Sequence, residues 1–255
     1  MKKTIFLLII FLLLLLNPID SVFAYGWGYQ KNNDHEVPYI GQYERVIENT
    51  YTYYADLSGE KVVYLTFDNG YEEGYTETVL NILQEHNVPA TFFVTGHYVK
   101  SEPALIKRMV DEGHIIGNHS YHHPDFTKLS KQKMEDELRL VEEQVEKVSS
   151  QDTLTYLRPP RGTFNEQTLK WANEFGYINV FWSLAFADWK TDAQKGWKYA
   201  YDQIMEQIHP GAIILLHTVS SDNAEALSKV IEQLKREDYE FRSLDELIFT
   251  DLLMN

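Results

Sequence analysis

The chain has 255 residues and carries 38 acidic side chains against 23 basic ones, a formal net charge of −15. This acidity argues against nucleic acid or an anionic membrane surface as a general partner. The absence of cysteine excludes disulfides, thiolate chemistry and any cysteine-based metal site. A chain of this length suits one medium-sized domain or one α/β barrel.

The amino terminus has the pattern of a secretory signal peptide. Lys2 and Lys3 precede the apolar run 5–16, and residues 22–24 offer a cleavage site. This run is shorter than the ~20 residues that a membrane span needs, although an uncleaved anchor is the alternative. Residues 1–24 are therefore excluded from the fold, and the protein is predicted to be exported, with no other membrane association.

Residues 25–60 are rich in aromatic side chains and are predicted to form an arm that packs on the outside of the domain. A short helix is expected at about 42–54. The sequence suggests no chemistry in this segment.

From Lys61 onward, strand-like and helix-like segments alternate. The predicted strands are 62–67, 90–95, 114–118, 155–157, 178–182, 212–216 and 240–242. The predicted helices lie at about 74–86, 102–112, 131–149, 166–175, 199–208, 224–235 and 244–252. Ser130, Asn165 and Asn223 are expected to cap helix N-termini, and Gly113 and Gly176 to follow helix ends. Strict alternation implies one α/β domain with a parallel sheet, either a barrel or a doubly wound sheet.

Polar side chains fall at the ends of five of these strands. In parallel α/β architectures, chemistry collects at the carboxyl ends of strands, and a purely structural explanation would need five coincidences on one edge. For Asp68-Asn69-Gly70 alone, an Asx-Gly turn is the simpler alternative. The groups are Asp68-Asn69, the run 119–123, the run 158–162, Asp188-Trp189, and His217.

Two histidines in this set have the spacing of metal ligands. His119 and His123 are four residues apart, so one turn of helix would aim both imidazoles at a single ion. A surface pair is the alternative, and His122 could be a ligand instead. With Asp68-Asn69 opposite, such a site would polarise a carbonyl and lower the pKa of bound water.

The remaining groups can supply acid–base chemistry. His217 ends an apolar strand, where a histidine is usually buried and hydrogen-bonded for structural reasons. As a histidine that does not bind the metal, it could instead donate a proton to a leaving amine. Asp188 could hold that imidazole protonated and oriented. Arg158 close to Asp68 would keep the carboxylate ionised, ready to act as a base.

The same residues resemble, in order, the five motifs of the polysaccharide deacetylases, the NodB-homology group or carbohydrate esterase family 4. The match spans about 61–247 and implies a distorted (β/α) barrel of about seven parallel strands. It also implies a single catalytic domain over 61–250 that hydrolyses N-acetyl groups from amino sugars. The motifs are Thr66-Phe67-Asp68-Asn69-Gly70, His119-Ser120-Tyr121-His122-His123, Arg158-Pro159-Pro160-Arg161-Gly162, Asp188-Trp189 and Leu215-Leu216-His217.

The resemblance also implies a catalytic role for each matching residue. Asp68 resembles the base that activates water, and Arg158 the arginine that orients it. His217 resembles the general acid, with Asp188 as its partner. The backbone N–H near Arg161 matches the donor that stabilises charge on the acetyl oxygen.

The metal ligands implied by the resemblance include one departure from the family pattern. His119 and His123 resemble its two metal-binding histidines, but Asn69 stands where the family usually has a second aspartate. An amide oxygen can still coordinate, yet the site loses one negative charge. We therefore expect weaker retention of a divalent metal, zinc or another.

A second departure, Arg161, stands where the third motif usually has an aromatic residue. Both departures make the sequence similar to the muramic δ-lactam-forming N-acetylmuramic acid deacetylases of spore cortex. Arg161 would bind the lactyl carboxylate of a muramic residue stripped of its peptide, unless it pairs with a nearby acidic side chain. Tyr71 and Trp189 are predicted to contact the substrate.

Three functions therefore stay open at this point. The favoured one is a monomeric, extracytoplasmic enzyme that acts on peptidoglycan glycan strands in the developing spore cortex. A general peptidoglycan N-acetylglucosamine or chitin deacetylase is the second. The third is an inactive glycan-binding module, against which the presence of both a base and an acid speaks.

Overall fold

The computed structural model describes residues 23–254. Nearly all of the predicted signal peptide therefore lies outside the described residues. Within them, no helix is long and apolar enough to cross a membrane.

The architecture alternates strands and helices, as the hydrophobic pattern predicts. The strands are β1 (Tyr25–Gly26), β2 (Thr52–Tyr53), β3 (Val62–Asn69), β4 (Ala90–Val94), β5 (Ile115–Asn118), β6 (Tyr156–Leu157), β7 (Thr163–Phe164), β8 (Ile178–Val180), β9 (Ala212–His217) and β10 (Glu240–Phe241). The helices are α1 (Tyr43–Ile47), α2 (Thr76–His86), α3 (Gly96–Ser101), α4 (Pro103–Asp111), α5 (Lys131–Val148), α6 (Glu166–Glu174), α7 (Trp197–Met205), α8 (Ser221–Arg236) and α9 (Leu244–Met254).

The main sheet is a curled, parallel barrel. Its strand order is β10-β3-β4-β5-β6-β8-β2, and β9 pairs with β3. Every pairing in this sheet is parallel. A bridge between Leu184, just beyond β8, and Ile214 of β9 joins the two ends of the curl. All seven predicted strands are present, and the predicted distorted parallel barrel is confirmed.

The alternation of β3 divides the core into two layers. Val63, Leu65 and Phe67 face outward and pack in the cluster that the surrounding helices cover. Val62 and Tyr64 face the barrel interior, in a second cluster that α9 closes from one end. The next inward positions on this period of two are Thr66 and then Asp68, which brings a carboxylate to the open end of the barrel.

The segment before the barrel differs from its prediction. Helix α1 has only five residues, and Thr52–Tyr53 forms β2 at the sheet edge beside β8, so the helix predicted at about 42–54 is wrong in its second half. The β-branched Thr50 and Thr52 favour extended backbone, and the edge of β8 supplies hydrogen-bond partners. Trp27 packs face to face on Phe181, with ring centroids 4.3 Å apart.

Most predicted helix signals are found in the structure, but one N-cap is wrong. Ser130 and Asn165 accept hydrogen bonds from the backbone of the first turns of α5 and α6. Helix α8 begins earlier than predicted, because the Ser220 hydroxyl accepts from the Asn223 N–H and is the true cap. Asn223 therefore lies inside the first turn, where its side chain is free for another role.

Candidate active site

The carboxyl ends of the strands open into one cleft of about 850 Å³. Predicted site residues from all five motifs border it. The lining residues are Asp68, Gly70, Tyr71, Thr95, His97, Lys100, His119, Tyr121, His122, His123, Arg161, Gly162, Trp182, Trp189, Leu215 and His217. Arg158, Asp188 and Asn69 are buried behind this surface.

Asp68 lies at the base of the cleft, held by Arg158. The Arg158 guanidinium, 0% exposed, donates from Nη1 to Asp68 Oδ1 at 2.7 Å and from Nη2 to Thr66 Oγ1 at 2.9 Å. Two backbone carbonyl oxygens, of Val180 and Phe181, accept further hydrogen bonds from it at 3.1 and 3.2 Å. Four donated bonds fix its orientation, so its charge stays aimed at one carboxylate oxygen.

The charge of Arg158 determines the ionisation of Asp68. Burial opposes the charged carboxylate, but the nearby positive charge and hydrogen bond of Arg158, aided by His217, lower the pKa of Asp68 below its ordinary value. The second carboxylate oxygen, Oδ2, lies 3.5 Å from His119 Nε2. Asp68 is thus an ionised carboxylate in a water-accessible cleft, as a general base requires.

His217 and Asp188 form the second pair. His217 is the register partner of Asp68 across the β3–β9 pairing, so its imidazole also lines the cleft. Its Nδ1 donates to Asp188 Oδ1 at 2.8 Å, and its backbone N–H donates to Oδ2 at 2.8 Å. Burial disfavours the imidazolium, but the charge and hydrogen bond of Asp188 outweigh it and raise the pKa of His217.

Sequence reasoning missed a third member of this cluster, Asn223. Its Nδ2 donates to Asp188 Oδ2 at 2.5 Å, which gives the fully buried carboxylate a third partner. The helix-cap pattern predicted Asn223 as an N-cap, which is not its role in the structure. A polar residue six positions after His217, at the start of a helix that follows a strand, was the available signal.

His119 and His123, which have the spacing of metal ligands, lie close together but are not on a helix. The prediction of one helical turn is wrong, because Ser120 and His123 take left-handed backbone conformations, with φ of 65° and 58°. The ring centroids of His119 and His123 are nevertheless 4.9 Å apart. His122 points elsewhere, since its Nδ1 bonds Glu137 Oε1 at 2.7 Å.

These side chains fit a divalent metal as a donor set. His119 Nδ1 lies 2.8 Å from the Arg158 carbonyl oxygen, which requires the proton on Nδ1 and leaves Nε2 as a free acceptor. Burial, with the neighbouring His119, lowers the pKa of His123 to about 4, so this imidazole is neutral near pH 7. Asn69 donates to Thr218 Oγ1 at 2.7 Å, while its buried Oδ1 has no hydrogen-bond partner.

Asn69 contributes an amide oxygen and no charge to this donor set. Among residues 23–254, no three side chains of His, Cys, Asp or Glu are placed to hold a metal ion. The donor set is therefore two neutral imidazoles and one amide oxygen.

Arg161 is the most available cation in this part of the cleft. It adopts a left-handed conformation (φ 61°), and its side chain is exposed. Within the described part of the chain, no ion pair or hydrogen bond of its guanidinium is found, which favours ligand binding over pairing with a nearby acidic side chain.

Aromatic side chains form the rim of the cleft. Tyr71 and Trp189 are about half exposed, at 47% and 48%. The ring centroid of Trp189 lies 5.7 Å from that of His217. Sequence reasoning overlooked the carboxyl end of β4, from which His97 and Lys100 reach the cleft, because this strand carries none of the recognised motifs.

At the open end of a parallel barrel, an ionised carboxylate faces an imidazole whose pKa is raised by a buried carboxylate, and these are groups that acid–base hydrolysis uses. Sequence comparison names the class. The model of the polysaccharide deacetylase family matches residues 56–180. The chain belongs to this family of enzymes, as the five motifs predicted.

Particular members of the family are closely similar over most of the chain. The chain is 54% identical over 225 residues to the peptidoglycan-N-acetylmuramic acid deacetylase PdaA of Bacillus subtilis, covering 88% of this chain and 86% of that protein. The solved structure of Bacillus subtilis PdaA, a family 4 carbohydrate esterase, matches with a TM-score of 0.88 at 53% identity, over 89% of this chain and 98% of that one. A family 4 carbohydrate esterase from Bacillus anthracis matches with a TM-score of 0.75 at 46% identity, over 89% and 97%.

Proposed function

We propose that the protein removes the N-acetyl group of N-acetylmuramic acid in peptidoglycan strands stripped of peptide. The observation that carries this proposal is that one cleft holds two acid–base pairs, a carboxylate bound by an arginine and a histidine bound by a carboxylate. Asp68 is kept ionised by Arg158, and His217, its register partner on β9, is held by Asp188. A base and an acid on adjacent strands are what amide hydrolysis needs.

Asp68 begins the reaction as general base. Its ionised carboxylate removes a proton from a water molecule, whose oxygen attacks the acetyl carbonyl carbon. Negative charge then develops on the former carbonyl oxygen, and the backbone N–H near Arg161, which lines the cleft, is a suitable donor to it. Arg158 stays bound to Asp68 and holds the carboxylate in place.

His217 completes the reaction as general acid. Its Nδ1 is committed to Asp188, so Nε2 carries the proton available to the substrate. As the carbon–nitrogen bond breaks, this proton passes to the leaving amine, and acetate and a free amino sugar are the products. Asp188 keeps the imidazole protonated and oriented for that transfer.

A divalent metal would be held by His119 and His123, with Asn69 as a third donor. When bound, it polarises the acetyl carbonyl and lowers the pKa of the attacking water. The orphaned Asn69 Oδ1 supports this assignment, and the missing carboxylate supports weak retention of the ion.

The substrate of the proposed reaction is inferred from Arg161. A muramic residue without peptide has a free lactyl carboxylate, and guanidinium is suited to bind it with two parallel hydrogen bonds. Arg161 has no competing partner among the described residues. The similarity to PdaA of Bacillus subtilis supports the same assignment. Tyr71 and Trp189 would contact the sugar rings.

We infer that the enzyme acts on this substrate outside the cytoplasm, in the cortex of the developing spore. The signal-peptide pattern at residues 1–24 supports export. A free amine beside a lactyl carboxylate can lose water and close a δ-lactam. Deacetylation is therefore the step that makes muramic δ-lactam accessible.

Mass spectrometry of amidase-treated peptidoglycan, before and after incubation with the protein, tests the proposal. We expect loss of acetyl from muramic residues, followed by loss of water if ring closure occurs on this protein. Acetyl loss from glucosamine residues as fast as from muramic residues would instead indicate a general deacetylase.

An Asp68→Asn variant separates an enzyme from a glycan-binding module. It should bind the stripped strands as the parent does and release no acetate. Full activity of this variant would show that Asp68 is not the base.

A further inference from the structure

The charge along the cleft wall is opposite to the charge of the chain. The chain as a whole carries −15, yet Asp68 is the only acidic side chain among the described residues that line the cleft, and Arg158 neutralises it. Two cations, Lys100 and Arg161, line the same surface. The cleft is therefore suited to an anionic ligand, in a protein that otherwise repels anions.

Lys100 is as free as Arg161. Its side chain is exposed and makes no ion pair or hydrogen bond with any described residue. The proposed function uses Arg161 for one carboxylate and leaves Lys100 without a role.

The helix that carries Lys100 is short but firmly anchored. The Thr95 hydroxyl caps α3 by accepting from the Tyr98 N–H. Tyr98 and Val99 are fully buried, and the Tyr98 hydroxyl donates to Glu72 Oε2 at 3.0 Å. A side chain at Gly96 would overlap the Tyr121 ring, with a Cβ only 2.0 Å from it. This anchoring holds the exposed side of α3 toward the cleft.

His97 and Lys100 occupy that exposed side together. They are three residues apart, which places them on one face of the helix, and both line the cleft. An imidazole and an ammonium on a fixed helix offer hydrogen-bond donors for an anionic sugar.

Strand order separates Lys100 from Arg161 along the cleft. Lys100 follows β4, Arg161 follows β6, and β5 lies between them. The strands that precede the two cations are roughly 10 Å apart across the sheet, which leaves room for a separate anion at each cation. A glycan in which every second sugar is muramic acid presents carboxylates at such intervals.

We propose that Lys100 binds a second lactyl carboxylate, on a muramic residue neighbouring the one that reacts. This inference rests on the proposed function and extends it, because the recognised unit becomes a polyanionic strand instead of a single sugar. His97 contributes to the same subsite.

The test compares Lys100→Gln with the parent on two glycans of matched length, peptide-stripped muramic strands and neutral chitooligosaccharides. On the strands at low salt, KM should rise about twofold to fivefold, the size of an exposed ion pair, with kcat unchanged. On chitooligosaccharides KM should not change. High salt should abolish the difference, and Lys100→Arg should restore the parent KM.

Two controls make the result specific. Lys133→Gln removes an exposed lysine on α5 whose side chain has no ion pair with any described residue and does not line the cleft. This variant should behave as the parent does. Strands whose carboxylates have been converted to amides should bind the parent and Lys100→Gln equally.

The outcomes separate this inference from the proposed function. If the parent prefers strands and Lys100→Gln loses nothing on them, or loses equally on both glycans, the Lys100 subsite is refuted and the proposed function stands. If the parent itself shows no preference for strands over chitooligosaccharides, the proposed function fails and this inference fails with it.

Discussion

Arg158 and Arg161 stand at the two ends of one four-residue segment, Arg158-Pro159-Pro160-Arg161, and their environments are opposite. The guanidinium of Arg158 is buried and donates four hydrogen bonds, one of them to Asp68. The guanidinium of Arg161 is exposed in the cleft and has no partner among the described residues. The two prolines and the left-handed backbone of Arg161 turn the second side chain away from the first.

This contrast shows how one segment can serve both the chemistry and its specificity. A buried cation is expensive to desolvate and persists only where its partners compensate for that cost. Arg158 is therefore committed to Asp68 whether or not substrate is present. Arg161 keeps its hydrogen-bonding capacity in water, and a ligand is free to use it.

Replacing the buried Arg158 should have the largest effect of the predicted substitutions. In Arg158→Met the Asp68 carboxylate loses its buried counterion, and we expect the free energy of unfolding to fall by about 3–5 kcal/mol. Urea denaturation measures this directly. Arg161→Met is the matched control, and as an exposed substitution it should stay within about 0.5 kcal/mol of the parent. Equal stability of the two variants would contradict the assigned difference.

Asp188→Asn tests the acid that acts opposite Asp68. Activity requires Asp68 ionised and His217 protonated, so it rises through the lowered pKa of Asp68 and falls through the raised pKa of His217. The charge of Asp188 is the main cause of the raised pKa of His217, and Asp188→Asn removes that charge. The alkaline limb should therefore move to lower pH, and kcat should drop by roughly 10²–10⁴.

The measurement for Asp188→Asn is kcat across pH, with Asp56→Asn as control. Asp56 is also a buried, hydrogen-bonded carboxylate, with Tyr64 as donor at 2.7 Å, but it does not line the cleft. Its variant should lose stability and keep the parent's pH limbs. An alkaline limb unmoved in Asp188→Asn would remove His217 from the role of acid.

The sequence was informative where function depends on strand ends. Parallel strands bring their carboxyl ends together, so Asp68 and His217 could be placed in one site from the hydrophobic pattern alone. Arg158 was assigned to Asp68 for the same reason. Local sequence and overall topology agree at these positions, and the structure brings the three side chains together.

The sequence was less informative where backbone conformation or distant packing decides. The spacing of His119 and His123 is that of a helix, but left-handed turns at Ser120 and His123 bring the imidazoles together instead. Spacing cannot distinguish the two geometries. Asn223 was missed because its partner, Asp188, is 35 residues away in the chain. Sequence likewise could not show that Arg161 would have no ion-pair partner among the described residues.

Arg161→Tyr sharpens the contrast by removing specificity without touching the chemistry. On peptide-stripped muramic strands, kcat/KM should fall about 10- to 100-fold, the loss of a charged hydrogen-bonded contact. On simple chitooligosaccharides activity should be spared. Acetate release on the two glycans measures both.

A conservative variant separates charge from geometry at Arg161. Arg161→Lys keeps the positive charge but cannot form two parallel bonds to a carboxylate, so its activity on muramic strands should lie between those of the parent and Arg161→Tyr. Equal losses on both glycans would mean that Arg161 acts in the chemistry and does not read the carboxylate.

The smallest effect concerns the aromatic arm that supports the segment after Arg161. The Trp27 backbone N–H donates to the Gly162 carbonyl oxygen at 2.8 Å, and its indole Nε1 donates to the Trp182 carbonyl oxygen at 2.9 Å. Trp27→Phe keeps the stacking on Phe181 and the backbone bond but loses the indole bond, so the free energy of unfolding should fall by about 1 kcal/mol.

Loss of the indole hydrogen bond should affect substrate binding only through the position of Arg161. Arg158 is fixed by its own four bonds, so kcat of Trp27→Phe on chitooligosaccharides should match the parent, while KM on muramic strands rises slightly. Tyr51→Phe is the control, since Tyr51 is 68% exposed and its hydroxyl makes no hydrogen bond to the described residues. A lowered kcat on both glycans would mean that the arm positions Arg158 as well, and that the two arginines are less independent than their contacts indicate.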